Sequence, residues 1–191
     1  VLVLAALLVG TASAALPVTD GLIAAYDFRQ GDDPATLYDI SGNGHHGAIS
    51  GNATWVAEGI AFDGVDGVVN LGKGLGSFAE GHTIIIAQRE NTIRGQTGAI
   101  FARYHYNYKL GVLIQKDAAS NYQWRALYGD GTDPEAPTLK YLNFYQPNPG
   151  WGTVHVRFDG SAVDQGFDTH LGSSFDVPAY RDSQLYDCTL G

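Results

Sequence analysis

The chain is poor in the residues that mark several classes of protein. Among its 191 residues is one cysteine, Cys188, so no disulfide can form within the chain. The 11 lysines and arginines are outnumbered by 20 aspartates and glutamates, which gives a net charge of −9. Nucleic acids and anionic membrane surfaces attract clustered positive charge. We therefore predict neither as a partner.

Helical periodicity and long apolar runs are also missing. No segment sustains the spacing of an amphipathic helix, and no apolar run is long enough to span a bilayer. The chain has instead 25 glycines, 11 tyrosines and 8 phenylalanines. Frequent turn formers among β-favouring aromatics predict an all-β sandwich or barrel with one core. Segments 22–28, 83–88 and 153–158 are among the predicted strands.

The N-terminal segment, residues 1–15, differs from the rest of the chain. Val1 to Val9 are almost purely aliphatic, and the small residues Ala12 and Ala14 follow. This pattern predicts a secretory signal cut after Ala14, and hence an extracellular or secreted protein. The alternative is an apolar arm that docks on a neighbouring subunit in an oligomer. Residues 16–191 are predicted to form one domain, truncated before its natural C-terminus.

A glycine-rich loop carries oxygen-bearing side chains at every second position. Asp39, Ser41 and Asn43 precede Gly44, as at the start of a loop that binds Ca²⁺ through oxygen ligands. The twelfth position is Ser50 rather than glutamate, so a structural calcium would need a remote carboxylate. The candidates are Asp63, Asp66 and Asp27. The alternative is that the loop side chains cap their own turn through backbone hydrogen bonds.

A row of tyrosines is the second candidate site. If residues 104–108 are extended, Tyr104, Tyr106 and Tyr108 share one face of a strand. Exposed aromatic rings can stack on sugars, so we predict a carbohydrate platform here. Further along the chain it would be extended by Trp124, Arg125 and Tyr128. A subunit interface and a core-facing strand are the alternatives.

Several motifs together resemble a known family. They are Gly21-Leu-Ile-Ala-Ala-Tyr-Asp-Phe28, Asp39-x-Ser-Gly-Asn-Gly44, Phe62-Asp-Gly64 and Trp151-Gly-Thr-Val-His-Val156. In this order they are similar to laminin-G-like (concanavalin A-like) domains. The resemblance implies an antiparallel two-sheet jelly-roll β-sandwich, with an occasional structural calcium near the glycine-rich loop. It also implies binding of glycans or proteins at a cell or particle surface. The family's C-terminal strand is missing here; if it is truly absent, one sheet edge is exposed or is supplied by another chain.

Enzymes share this class of fold, but their motifs are incomplete. The Glu-x-Asp-x-x-Glu motif of laminarinase-type hydrolases is absent. Residues 108–115 are similar to an alginate-lyase strand with one residue deleted, yet the accompanying Gln-x-His motif is missing. We therefore predict a non-catalytic recognition module that binds glycan or protein. One alternative is a virion or filament subunit that assembles through its N-terminal arm and sheet edge. The other is a polysaccharide lyase, with a base near Arg89 or Gln115.

Overall fold

The computed structural model describes residues 2–3, 16, 18–29, 31–89, 98–105, 110–116, 123–130, 139–145, 150–168, 170–177, 180, 182 and 187–191. These residues form strands and loops. The strands are β1 (Leu2–Val3), β2 (Thr36–Leu37), β3 (Gly47–Ser50), β4 (Thr54–Val56), β5 (Gly59–Ala61), β6 (Val68–Gly72), β7 (His82–Arg89), β8 (Ala99–His105), β9 (Leu110–Lys116), β10 (Gln123–Asp130), β11 (Leu139–Tyr145), β12 (Trp151–Phe158), β13 (Ala162–Phe167), β14 (His170–Asp176) and β15 (Cys188–Leu190). No helix in the described part of the chain has the length and apolar character needed to cross a membrane.

Two large sheets form a sandwich, which confirms the predicted all-β class. The five-stranded sheet has the order β1-β7-β12-β13-β14, and the eight-stranded sheet has the order β11-β10-β9-β8-β15-β6-β3-β2. Strands β4 and β5 form a separate hairpin. Neighbouring strands are antiparallel except β1, which runs parallel to β7 through the pairs Leu2↔Ile84 and Val3↔Ile85. Leu2 and Val3 are the residues of the apolar N-terminal segment, residues 1–15, that the structure describes.

The core lies between the two sheets because their strands alternate in character. In β12, Val154, Val156 and Phe158 are buried, whereas the residues between them are more exposed. A strand of this pattern has one face on the core and one toward solvent. Ile84 of β7 packs in the same core, opposite Phe101 of β8.

One expectation about strands is corrected. Residues 22–28 do not form a continuous strand; an isolated bridge joins Tyr26 to Asp39. At the C-terminal end, where the sequence is typical of the entry into another strand, Cys188–Leu190 form β15 between β6 and β8. Both of its edges are therefore paired, in the interior of the eight-stranded sheet.

The described core also holds buried polar groups. Nδ1 of His82 lies 3.0 Å from the carbonyl oxygen of Phe78, and Nε2 lies 2.8 Å from the hydroxyl of Tyr128. Since a carbonyl oxygen only accepts, Nδ1 of the neutral ring carries the proton and Nε2 accepts from Tyr128. Nearby, Nε of Arg103 lies 3.3 Å from Oδ1 of Asp182, and both side chains are almost fully buried.

Gly152 allows β12 to approach a buried phenylalanine. A Cβ at this position would lie 1.8 Å from Cζ of Phe167, whose ring is enclosed in the core. We expect Gly152→Ala to lower the free energy of unfolding by about 1–3 kcal/mol through overpacking. Urea denaturation measures this loss. The matched control is Gly98→Ala, because nothing lies within 4 Å of the Cβ it would introduce. Equal stability of the two variants would contradict the packing argument.

Candidate functional site

The carboxylate of Asp39 accepts hydrogen bonds on both of its oxygens. Oδ1 accepts from the backbone N–H of Ala25 at 3.0 Å and of Ser41 at 2.8 Å. Oδ2 accepts from the hydroxyl of Ser41 at 2.8 Å and from the N–H of His45 at 2.9 Å. Burial acts to raise the pKa of Asp39, but these hydrogen bonds together hold it below its ordinary value. The loop is thus tied to the segment 22–25 by a charged acceptor.

Asn43 completes the connection between the two segments. Its side-chain amide donates to the carbonyl oxygens of Leu22 and Ile23, both at 2.9 Å. Ser41, Asn43 and Asp39 therefore all make hydrogen bonds within the protein. This arrangement matches the predicted alternative in which the loop side chains cap the backbone.

Asp63 and Asp66 lie in a second turn. Oδ1 of Asp63 accepts from the N–H groups of Val65, Asp66 and Gly67, and its Oδ2 accepts from the amide of Asn52. The hydrogen bonds from Val65 and Gly67 are the main cause that lowers the pKa of Asp63 to about 2. Asp66 in turn accepts from the N–H of Asn52 at 3.0 Å.

The structure does not bring the five predicted calcium ligands together. Strand β3 separates the two turns, because the Asp39 loop precedes Gly47 and the Asp63 turn faces the other end of β3 through the pair Ser50↔Val68. In the described residues no three His, Cys, Asp or Glu side chains converge as metal ligands would. One site made of Asp39, Ser41, Asn43, Asp63 and Asp66 is therefore corrected to two separate turns. Calcium binding itself stays a prediction.

Removing the Asp39 carboxylate is expected to destabilise the fold. Asp39→Ala leaves buried donors such as the N–H of Ala25 without their acceptor, at a cost of about 1–3 kcal/mol. The calcium prediction is tested in the same way. A bound cation would make excess chelator lower the melting temperature of the native protein, whereas protein donors on both oxygens without a cation would leave it unchanged. Calorimetric melts measure both effects, with the exposed Asp32→Ala as control. Stability of Asp39→Ala equal to that of this control would contradict the hydrogen-bonding account.

The predicted aromatic platform is only partly described. Tyr104 and Arg125 are half-buried on the face of the eight-stranded sheet that points away from the core. Tyr128 is corrected: it is fully buried in the core, where its hydroxyl bonds to His82 and its ring cannot reach a glycan. Tyr106, Tyr108 and the side chain of Trp124 lie outside the described residues.

An open cleft lies elsewhere, beside the β4–β5 hairpin. It has a volume of about 440 Å³ and is lined by Phe28, Arg29, Trp55, Val56 and Ala57. We call it the Trp55 cleft. One wall is the segment after Tyr26, and the other is β4 with the turn that follows. The lining combines two aromatic rings with a guanidinium group, and Val56 is 45% exposed.

Local hydrogen bonds fix both walls of the cleft. The indole N–H of Trp55 donates to the carbonyl oxygen of Pro34 at 2.7 Å, which orients the ring. On the other wall, Asp27 accepts from the backbone N–H of Arg29 at 3.1 Å and from its Nε at 2.7 Å. Between them Phe28 has a φ of 51°, a left-handed conformation that is unusual for a bulky residue. Such outliers often occur at ligand sites.

Charged and aromatic side chains continue from the cleft onto the five-stranded sheet. Glu58, in the turn between β4 and β5, has an oxygen 3.6 Å from Nη1 of Arg89 at the end of β7. The guanidinium carbon of Arg89 lies 5.5 Å from the ring centroid of Trp151, its cross-strand partner. Trp151 is 52% exposed. Two of the three tryptophans of the chain thus lie on one surface.

Comparison with known proteins finds similar solved structures but no matching family. No protein-family model matches the chain, and no curated protein sequence does. A glycoside hydrolase family 16 endo-glucanase from Bacteroides ovatus is similar at 12% identity and a TM-score of 0.48, over 88% of this chain and 78% of the enzyme. The two antiparallel sheets of the chain itself confirm the predicted jelly-roll sandwich. No family model confirms the laminin-G-like family.

A second solved structure comes from work on endo-acting O-glycanases, which prominent members of the human gut microbiota express to initiate mucin breakdown. It is 11% identical with a TM-score of 0.46, over 84% of this chain and 66% of that protein. Both matches concern glycan-degrading enzymes, so the expected non-catalytic recognition module is contradicted. The virion or filament subunit is set aside with it. The likeness concerns the fold, and the chemistry of this chain has to be argued from its own residues.

Proposed function

We propose that this protein acts on carbohydrate: a glycan chain binds in the Trp55 cleft, and a glycosidic bond of that chain is hydrolysed there. The observation that carries the proposal is the lining of the cleft by two aromatic rings and the guanidinium group of Arg29, next to which the Asp27–Arg29 and Glu58–Arg89 pairs lie. A sugar ring has an apolar face and a rim of hydroxyl groups. A site for it therefore needs a flat apolar surface next to hydrogen-bonding groups.

Each wall supplies part of that requirement. The ring of Trp55 is held by its bond to Pro34, so it loses little conformational freedom when a sugar stacks on it. The side chain of Arg29 is 62% exposed and can donate to sugar hydroxyls. Val56 and Ala57 keep the opposite wall apolar.

Two carboxylates flank the cleft and are the candidates for the reaction. Glycoside hydrolysis uses a pair of carboxyl groups, one to protonate the leaving oxygen and one to activate water or attack the sugar. Asp27 adjoins Phe28 on the first wall, and Glu58 adjoins Ala57 on the second. An arginine pairs with each of them, Arg29 with Asp27 and Arg89 with Glu58. In contrast, no carboxylate occurs among the described side chains of β8–β10 that face away from the core.

Two further points belong to the proposal. The laminin-G-like relationship is supported by the loop of Asp39 and Asn43, whose hydrogen bonds hold the segment that leads to Phe28.

Export is supported by the aliphatic run and the small residues Ala12 and Ala14. An exported protein would meet polysaccharides outside the cell. Mass analysis of protein secreted by its native host tests export, and retention of Val1 in that protein would contradict cleavage.

The hydrolysis test uses the purified full chain and a panel of soluble β-glucans, mucin O-glycans and polyuronates. We expect new reducing ends from at least one of them. Asp27→Asn and Glu58→Gln should each lower that activity by at least about a hundredfold, as expected for loss of a group that transfers protons. Asp164→Asn is the matched control, since it too is an exposed carboxylate near an arginine, at 4.0 Å from Arg157.

Binding is measured separately, by calorimetry with the same panel. Trp55→Ala and Val56→Asp should each weaken binding, and the second variant changes a residue that is 45% exposed. Full activity in both carboxylate variants would overturn the assignment of Asp27 and Glu58. Neither hydrolysis nor binding of any panel member by the native protein would overturn the proposed function.

A further inference from the structure

We infer that Trp151 forms a second sugar-stacking subsite, continuous with the Trp55 cleft, so that the protein engages an extended oligosaccharide rather than a single sugar unit. This inference rests on the proposed function and extends it. It assigns a binding role to a residue outside the cleft. It also predicts that affinity depends on the length of the glycan.

Trp151 is exposed to solvent. It is the most exposed Trp, Tyr or Phe in the described part of the chain, at 52%. It begins β12 on the outer face of the five-stranded sheet, where the alternation of that strand directs it away from the core. Because its ring is not used in packing the core, its position is free for a ligand-binding role.

The ring of Trp151 is held on one side by the side chain of Arg89. The guanidinium of Arg89 lies over Trp151 at 5.5 Å, within the range of a cation–π contact. Arg89 is placed there by the register of β7 and β12, in which it pairs directly with Trp151. A ring that is fixed on one side offers a pre-oriented surface to a ligand on the other.

Trp151 is connected to the Trp55 cleft through Arg89 and Glu58. Glu58 contacts Arg89 at 3.6 Å and directly follows Ala57, which lines the cleft. The exposed side chain of Val56 belongs to the same hairpin. Contacts therefore run without interruption from the cleft wall through Glu58 and Arg89 to Trp151. A chain of sugars that leaves the cleft over the hairpin would meet that ring.

The charged neighbours favour a glycan over a protein partner. The core of a protein-binding patch is enriched in aromatic residues and arginine but depleted of aspartate and glutamate. Arg89, beside Trp151, instead contacts the carboxylate of Glu58, and at 3.6 Å this contact is longer than a charge-assisted hydrogen bond. Both groups thus have hydrogen-bonding capacity to offer to sugar hydroxyls next to the ring.

The experiment measures affinity against chain length. Gluco-oligosaccharides and oligouronates from disaccharide to octasaccharide are titrated into the full chain by calorimetry. For the native protein we expect affinity to rise with length as the second subsite fills. For Trp151→Ala we expect unchanged affinity for the shortest ligand bound and a loss of roughly tenfold for the longest, the size of one aromatic stacking contact.

Controls separate this inference from the proposed function. Trp151→Phe should retain part of the length dependence, and Val65→Ala, at an 86% exposed site in the Asp63 turn, should change nothing. Native-like length dependence in Trp151→Ala would overturn the second subsite while leaving the cleft in place. Failure of the native protein to bind any member of either series would overturn both. Loss of self-association in Trp151→Ala, measured by sedimentation with unchanged glycan affinity, would assign Trp151 to a protein interface instead.

Discussion

Asp182→Ala is expected to lower the free energy of unfolding by about 3–5 kcal/mol, the cost of leaving one partner of a buried ion pair alone. The Asp182 carboxylate lies beside the Arg103 guanidinium inside the core, with 3% and 0% of their side chains exposed. It also accepts from the backbone N–H of Phe78 at 2.7 Å. The substitution therefore removes a counter-charge and a buried acceptor together. Urea denaturation followed by intrinsic fluorescence measures the loss.

Two variants test the cause of that loss. Asp176→Ala, at an exposed position of β14, should change stability by less than about 0.5 kcal/mol. The double variant Asp182→Leu with Arg103→Met should be more stable than Asp182→Ala, because an apolar pair no longer buries a charge. A double variant as unstable as the single one would show that the shape of the pair matters more than its charge.

The ion pair connects distant parts of the chain. Arg103 belongs to β8 and donates to the carbonyl oxygen of Gly76 at 2.6 Å, and its guanidinium lies 4.5 Å from the ring centroid of Phe78. Asp182 comes from the segment between β14 and β15. The pair thus joins a strand of the eight-stranded sheet to the loop that precedes β7. Sequence analysis did not find it, because neither residue shows from its neighbours that it is buried.

Much of the fold can be predicted from the chain because it depends on local patterns. The alternation of Val154, Val156 and Phe158 reveals a half-buried strand, and β12 lies there. Pairing is different, since it depends on contacts far apart in sequence. The place of β15 between β6 and β8 follows from the whole sheet, and six residues at the end of a sequence do not reveal it.

The sites show the same limit. Spacing shows that Asp39 and Ser41 turn to one side of their loop, but not whether a cation or the N–H of Ala25 meets them. The alternation of β10 shows that Arg125 and Tyr128 face opposite ways, but not which face is the core. The Trp55 cleft is built from segments about thirty residues apart, so no single motif predicts it. The one signal for the cleft in the sequence is that the chain has three tryptophans and Trp55 is one of them.

The stability of the protein is expected to fall by about 3 kcal/mol between pH 6.5 and pH 4, because of His82. Burial is the main cause that lowers the pKa of His82, from 6.5 to about 4. In that interval the unfolded chain binds a proton at His82 and the folded chain does not. Stability is therefore fully present above pH 6.5 and is lost as the pH falls toward 4. Urea denaturation at a series of pH values measures the slope.

The contribution of His82 to this slope can be separated from the contributions of other titratable groups. His82→Gln keeps a polar side chain that can bond to Phe78 and Tyr128 but does not titrate, so it should remove most of the slope whatever its stability at neutral pH. Burial also lowers the pKa of His155, which is only half-buried, so His155→Gln should remove a smaller part. Carboxylates with a lowered pKa, such as Asp39, begin to lose their contribution below about pH 5, so the part of the slope between pH 6.5 and pH 5 reports the histidines. An unchanged slope in His82→Gln would mean that His82 is protonated in the folded state at pH 6, with its ring donating to both Phe78 and Tyr128.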